Sequence, residues 1–289
     1  MTITIDHQRT KPATRQAPRM LWLDLTRKCQ LACSHCYNDS GPEGTHGTMT
    51  RADWDRVLDQ AAALGVEHIQ LIGGEPTLHP DALHLVDHAL ALGLQVEIFS
   101  NLVSIPAPWW ERLDRPGVSV ATSYYSGDAS EHNTVTGRPT HARTRANIQT
   151  AVDRGIPIRV GIIDTGDPGR VEAARRDLET IGVDRIRVDR VRPYGRAATG
   201  PGLDPAGLCG QCGSGRAAIG PDGAVSPCVI SAWMSVGNVH TDGLADILAG
   251  TAMAEANTQI RAASRTGKCD PDGECSPGFP GSGCSPRTA

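Results

Sequence analysis

The chain has no apolar run long enough to cross a bilayer, few aromatic residues and no excess of basic charge. Each deficit removes a class of function. At 289 residues, with 39% hydrophobic and 21% charged side chains, it has the composition of an ordinary globular protein, and no membrane partner is expected. The first twenty residues are polar and basic and lack the hydrophobic stretch of an export signal, so segment 1–20 reads as a loose tail and the protein as cytoplasmic. A formal net charge of −4 offers a polyanion no field to follow, which argues against a nucleic-acid partner and favours a peptide or small-molecule substrate. Aromatics make up only 4% of the chain, so the adjacent Tyr124 and Tyr125 stand out as either a substrate contact or packing. Cysteine is missing from 37 to 208; the nine thiols fall into one group of three and one of six. Without a route to an oxidising compartment they read as metal ligands or reactive thiols and not as disulfides.

Between 21 and 192 short β-branched runs alternate with amphipathic stretches. Strands are expected over 21–26, 66–72, 94–99, 118–122, 156–163 and 184–191. Helices are expected in between: one opened by Thr50 with Asp53 three residues on and closed by Gly65, one starting near Pro80 and closed by Gly93, and three over 107–113, 140–154 and 170–181. Such alternation predicts a parallel sheet with right-handed crossovers. Six units are too few for an eight-fold barrel and too many for a small doubly wound domain, so the expected class is α/β, a partial (β/α)6 TIM-like barrel. In such folds chemistry gathers where strands end, and the first cysteine group, the Gly73, Gly74, Glu75 and Pro76 turn, Ser100 with Asn101, and Ser123 all follow a predicted strand. After 195 the chain becomes rich in Gly, Pro and Cys, with helical periodicity only near 244–260, and reads as a small segment that needs metal to stay folded. The expected organisation is a tail over 1–20, a barrel over 21–198 and a Cys-rich extension over 199–289.

Cys29, Cys33 and Cys36 lie at C-x3-C-x2-C spacing directly after the first strand. Four cysteines complete the coordination of a [4Fe-4S] cluster, whereas three leave one iron open to another ligand. A zinc site of these three with His35 is the alternative. With His35 before the third cysteine and the GGEP sequence of Gly73 to Pro76 after the second strand, the pattern resembles the radical S-adenosylmethionine (radical SAM) superfamily. The resemblance implies that the open iron chelates SAM, that the GGEP carbonyls and the Glu75 carboxylate receive the SAM ammonium, that Ser100 and Asn101 meet its ribose, and that Ser123 and Arg143 bind its carboxylate. It also implies reductive cleavage of SAM to a 5'-deoxyadenosyl radical, fed by a reductant such as flavodoxin or ferredoxin.

Cys212, ten residues, Gly223, four residues and Cys228 resemble the opening of the SPASM/twitch extension of that superfamily, which carries auxiliary [4Fe-4S] clusters. The rest of the SPASM pattern is incomplete: Cys269, Cys275 and Cys284 follow at other spacings. Six thiols cannot give two clusters four ligands each, so the expectation is one auxiliary cluster on Cys209, Cys212, Cys228 and one of Cys269, Cys275 or Cys284. Two clusters with three ligands each, a leftover thiol acting as a hydrogen-atom donor, and zinc at Cys209 and Cys212 remain as alternatives. Relatives of this type oxidise, cross-link or epimerise ribosomally made peptides in natural-product biosynthesis (RiPP maturation), and others are oxidoreductases or epimerases of sugars, aminocyclitols or nucleosides. A peptide substrate is the favoured reading. The polar segment 1–20 does not read as a leader-binding domain, so direct binding or a separate leader-peptide-binding protein is expected. A zinc-binding structural protein is the remote alternative.

Overall fold

The computed structural model describes residues 18–200 and 202–264; Cys269, Cys275 and Cys284 lie outside the described residues. The first strand, β1 (Met20–Asp24), is buried at every position. Period-two alternation divides its side chains between two cores: Leu21 and Leu23 face the helices, while Met20 and Trp22 join a second cluster on the opposite face.

Five more parallel strands extend the sheet from β1 in chain order: β2 (His68–Ile72), β3 (Gln95–Phe99), β4 (Val118–Tyr124), β5 (Ile158–Asp164) and β6 (Ile186–Arg190). All six expected strands are present, with ends shifted by one or two residues. The crossovers carry α1 (Arg51–Ala63), α2 (Ala82–Ala91), α3 (Ala107–Leu113), α4 (Ala129–Thr136), α5 (His141–Asp153) and α6 (Pro168–Thr180). The expected capping box forms at α1, where Asp53 N–H donates to Thr50 and Thr50 N–H to the Asp53 carboxylate. Pro80 precedes α2 instead of opening it, and Asp81 takes the N-cap position. Helix α4 is not anticipated by the sequence pattern; it is short, capped by Asp128 and ended by left-handed Gly137.

The sheet continues into the extension. Strand β7 (Arg216–Ile219) pairs in parallel with the free side of β1, and the antiparallel β8 (Ala224–Ser226) and β9 (Gly237–Asn238) follow. Nine strands thus form one sheet, ordered β6-β5-β4-β3-β2-β1-β7-β8-β9, across the point near 198 where composition changes. The helical region expected over 244–260 is two helices, α7 (Leu244–Ala249) and α8 (Thr251–Ala263), separated by extended Gly250.

Inside the barrel, Glu97 on β3 lies opposite Gln70 on β2. It accepts a hydrogen bond from the Gln70 amide and two from Arg159 on β5, at 2.7 and 2.8 Å. Across β4 the lumen-side residues are the small Ser119 and Ala121, and the guanidinium also stands 5.5 Å from the Phe99 ring centre. Both charged side chains are under one-tenth exposed. Losing one partner would strand the other charge in a desolvated interior, at a cost of about 3–5 kcal/mol. Arg159→Met is therefore expected to lower the unfolding free energy by that amount, read as a lower urea midpoint at an unchanged denaturant slope. The double variant Glu97→Leu/Arg159→Met should recover most of it; a double variant as unstable as the single would refute the pairing as the source.

Candidate active site

Three loops meet at the C-terminal ends of β1, β2 and β3. The first leaves β1 at Leu25 and carries the cysteine triplet. Lys28 bridges to Gly41, Cys29 N–H donates to Gly41 O (3.0 Å) and Arg27 N–H to Thr45 O (2.9 Å), so the loop closes on itself. Its middle rests on the end of α4: Ala32 N–H donates to Thr136 O and Ser34 N–H to Val135 O. The helix that sequence patterning missed thus uses its unpaired C-terminal carbonyls to hold the turn between Cys29 and Cys36.

The second loop is the GGEP turn. Gly74 N–H donates to Thr26 O at 2.7 Å and Glu75 N–H to Lys28 O at 2.9 Å, so this turn lies flat against the cysteine loop. Only glycine permits that approach. A Cβ on Gly74 would stand 2.4 Å from Lys28 O, and one on Gly73, whose φ is +140°, would stand 2.6 Å from Thr26 O.

Glu75 is fully buried. Its Oε1 accepts from Thr77 N–H (3.1 Å), the Thr77 hydroxyl (2.7 Å) and the Ser100 hydroxyl (2.9 Å), and its Oε2 from Asn101 N–H (2.8 Å). Burial pushes the Glu75 carboxyl above its usual range, and these donors offset only part of that rise. The sequence led us to expect this carboxylate against the SAM ammonium; four bonds from its own chain leave one acceptor site, on Oε2. Pro76 opens a short 3-10 turn behind it.

The third loop follows β3. Asn101 Nδ2 lies 3.7 Å from the Cys29 sulfur, and Thr144 and Asn147 on α5 bond Asn101 O and Leu102 O at 3.1 and 2.7 Å. Leu102 is buried with φ +55°, a left-handed conformation costing about 1–2 kcal/mol in a residue with a Cβ. The α5 contacts hold it there.

Cys29 is buried, Cys33 and Cys36 half-buried, and all three are free thiols. Burial pushes Cys29 up to about 12 and Cys33 up to about 11. His35 is held down at about 4, first by burial and then by Arg196, so it is a neutral imidazole at pH 7. Its ring meets Tyr125 edge-on at 5.0 Å. Three buried polar atoms in this stretch, His35 Nδ1, Tyr37 OH and Asn38 Nδ2, have no hydrogen-bond partner. Orphaned polar atoms beside grouped thiols fit a polar ligand held there. Ser123 is half-buried, and Arg143 is exposed on the first turn of α5.

In the extension, the Cys212 thiol is hydrogen-bonded to both Cys209 and Cys228. This bonding, above all, draws Cys209 and Cys228 down and Cys212 up, and all three thiols lie in or against the second core. Cys212 and Cys228 are buried in the second core with Trp22 of β1, and Tyr37 packs on that core from the first cysteine loop. Three soft sulfur donors suit an iron–sulfur or zinc ligand set.

The tyrosine pair is not an exposed feature of the mouth: Tyr124 is fully buried and Tyr125 nearly so. Tyr124 OH donates to Asp177 at 2.6 Å and meets His141 at 2.7 Å. His132 is 1% exposed in an aromatic cluster with both tyrosines and His141. Leu102, Thr144, Asn147, Tyr37 and Asn38 were missed from sequence. Only Tyr37 and Asn38, directly after the third cysteine, have a positional hint.

With this geometry in hand, comparison with known proteins is informative. Residues 23–180, more than half of the chain, match the model of the radical SAM superfamily, and residues 209–276 match that of the SPASM iron-sulfur cluster-binding domain. The chain belongs to the radical SAM superfamily. Membership of these two families brings a [4Fe-4S] cluster that binds SAM and an auxiliary cluster. It is 31% identical over 187 residues to the PqqA peptide cyclase of Methylobacterium nodulans, covering 64% of this chain and 49% of that protein. The chain thus spans about half the length of the curated relatives it matches. The fold matches Streptococcus suis SuiB bound to S-adenosylmethionine with a TM-score of 0.70 at 18% identity, covering 86% of this chain and 68% of SuiB. The complex of SuiB with its precursor peptide SuiA gives 0.69 at the same identity, over 86% and 67%.

The close docking of the GGEP turn yields a direct expectation. Gly74→Ala must push the turn off Lys28 O, and overpacking of this kind costs about 1–3 kcal/mol. A denaturant titration should show that loss; an unchanged midpoint would mean the two loops are not in contact.

Proposed function

We propose that this chain is a radical SAM enzyme that modifies a ribosomally made peptide by hydrogen-atom abstraction, leading to a cross-link, an oxidation or an epimerisation. Cys29, Cys33 and Cys36 are the proposed ligands of the SAM-binding cluster. Cys209, Cys212 and Cys228, with one of Cys269, Cys275 or Cys284, are the proposed ligands of an auxiliary cluster. When bound and reduced, the first cluster would supply an electron that splits the sulfonium of SAM into methionine and a 5'-deoxyadenosyl radical.

The observation that carries this reading is the contact between the cysteine loop and the GGEP turn beside three unpartnered buried polar atoms. What the chain itself contributes is position and a dry wall. The carbonyls of Gly73 and Gly74 and the last acceptor site of Glu75 are the proposed receivers of the SAM ammonium. Ser100 and Asn101, both hydrogen-bonded to Glu75, are the proposed contacts of the SAM ribose. Neutral His35, with Tyr125 edge-on against it, is the proposed uncharged wall beside the thiols. Ser123 and Arg143 are the proposed pair for the SAM carboxylate. A one-electron reductant such as flavodoxin or ferredoxin is required for balance.

The peptide class rests on the similarity to PqqA peptide cyclases and on the fold shared with SuiB, whose structure holds a precursor peptide. A separate leader-peptide-binding protein is a proposed partner.

The test is iron and sulfide per chain after anaerobic reconstitution, then reductive SAM cleavage with and without a candidate precursor peptide. The wild type is expected to hold about eight irons, and the variant with Cys29, Cys33 and Cys36 all changed to Ala about four. Only the wild type should form 5'-deoxyadenosine, and its peptide product should lose a hydrogen pair or take up solvent deuterium. Zinc in place of iron, or cleavage retained by the variant, would overturn the ligand assignment; cleavage indifferent to every peptide would overturn the substrate class.

A further inference from the structure

The residues that leave the barrel for the extension touch both thiol groups. Arg196 reaches into the cysteine loop with its whole guanidinium: Nε donates to Cys33 O at 2.7 Å, Nη2 to Ser40 O at 2.7 Å and Nη1 to the Asp39 carboxylate at 2.8 Å. Its own N–H donates to Cys36 O at 3.0 Å. Gly195, at φ +56°, lies so close that a Cβ would stand 2.2 Å from Cys36 O. Within the loop Asp39 is itself left-handed, at φ +55°. A left-handed conformation is uncommon in a residue with a Cβ, and the one at Asp39, whose carboxylate is held by the Arg196 guanidinium, marks a turn that is held and not merely formed.

One residue earlier the same segment is locked at its other end. Tyr194 is 2% exposed and packs in the second core with Cys212 and Cys228. Its ring centre is 4.6 Å from that of Trp233, and its hydroxyl donates to Asp204 O at 2.6 Å. Gly207 closes over it, with room for no Cβ. A rigid two-residue step therefore connects the wall of the three-thiol group to the backbone of Cys33 and Cys36.

We infer that Arg196 is the positioning residue of the first cysteine loop, and that docking of the extension through Tyr194 and Trp233 sets how well that loop is ordered to receive its cluster. The inference rests on the proposed ligand role of Cys29, Cys33 and Cys36. Three bonds from one planar cation to two carbonyls and a carboxylate fix a loop in a way that a point charge cannot. Bonds of this charged type are each worth more than a neutral one.

The decisive measurement needs no iron. The full chain, kept free of metal and reduced, is pulsed with iodoacetamide and the labelling of each cysteine is followed by peptide mass spectrometry. Arg196→Gln is expected to raise labelling of Cys33 and Cys36 by at least about tenfold, the equivalent of one of its three charge-assisted bonds, with Cys209, Cys212 and Cys228 unchanged. Arg196→Lys, which keeps the charge without the fork, should behave like Gln. Trp233→Ala should raise the same two positions by a smaller factor. On reconstitution Arg196→Gln should lose about four irons per chain while keeping the auxiliary spectrum.

Slower labelling of Cys33 in Arg196→Gln would mean that the residue only stabilises a thiolate, and unchanged labelling that it does nothing to the loop; either overturns the inference, as does full rescue by Lys. No effect of Trp233→Ala overturns the link to the extension. If Arg196→Gln does not fold, every cysteine will accelerate together, and the Lys and Trp233 variants decide. Labelling reports where the cysteines are held and the iron count of the triple-Ala variant what they bind, so the two readings can fail separately.

Discussion

One buried carboxylate ties this site together. Glu75 sits at the end of β2, and its oxygens collect donors from its own turn and from the loop after β3, while its backbone N–H reaches the loop after β1. Three loops that the sheet merely brings near one another thereby become one surface. A buried carboxylate is tolerable only when its acceptor sites are filled, and here filling them requires Thr77, Ser100 and the Asn101 amide to be where they are. The strained Leu102 follows from this: the backbone that presents Asn101 N–H to Glu75 must turn sharply, and α5 holds the turn from behind.

The second constraint is the placement of β1 inside a nine-stranded sheet. Parallel strands are ordinarily covered on both faces, and β1 has β2 on one side and β7 on the other. Because β7 belongs to the Cys-rich segment, the hairpin that carries Cys228 is fixed to the strand that launches Cys29. Trp22 of β1 then shares a core with Cys212 and Cys228. The two thiol groups are parts of one packed body, and Tyr37 lies in the same core.

Much of this was legible. Six strands, the capping box at Thr50, the spacing of the first three cysteines and the GGEP turn are local patterns, and local patterns survive folding because neighbouring residues dictate them. What escaped was long-range. The pairing of β7 with β1 joins residues about 200 apart and leaves no periodic trace in four residues. Helix α4 has a weak amphipathic pattern and earns its place by receiving Ala32 and Ser34 N–H groups. Whether the tyrosine pair meets substrate or packs is not decided by its position after a strand; His132 of α4 and His141 of α5 lie against it and make it packing. Gly250 broke a helix that periodicity alone would run through, since its extended backbone caps α8.

The composition of the extension raises a question of stability that the barrel does not. A segment dense in glycine and cysteine cannot bury enough apolar surface to fix itself. Here it borrows order from its neighbour: β7 takes its hydrogen bonds from β1, Val225 and Val239 enter the main helical core, and Met253 of α8 joins them. Such borrowing runs in both directions. A strand that completes the edge of β1 also removes an unpaired edge beside the site, and the segment that crosses from β6 to β7 must pass over the cysteine loop to get there. The link between the two thiol groups, through Tyr194 in the second core and Arg196 on the cysteine loop, thus follows the path the chain takes from β6 to β7.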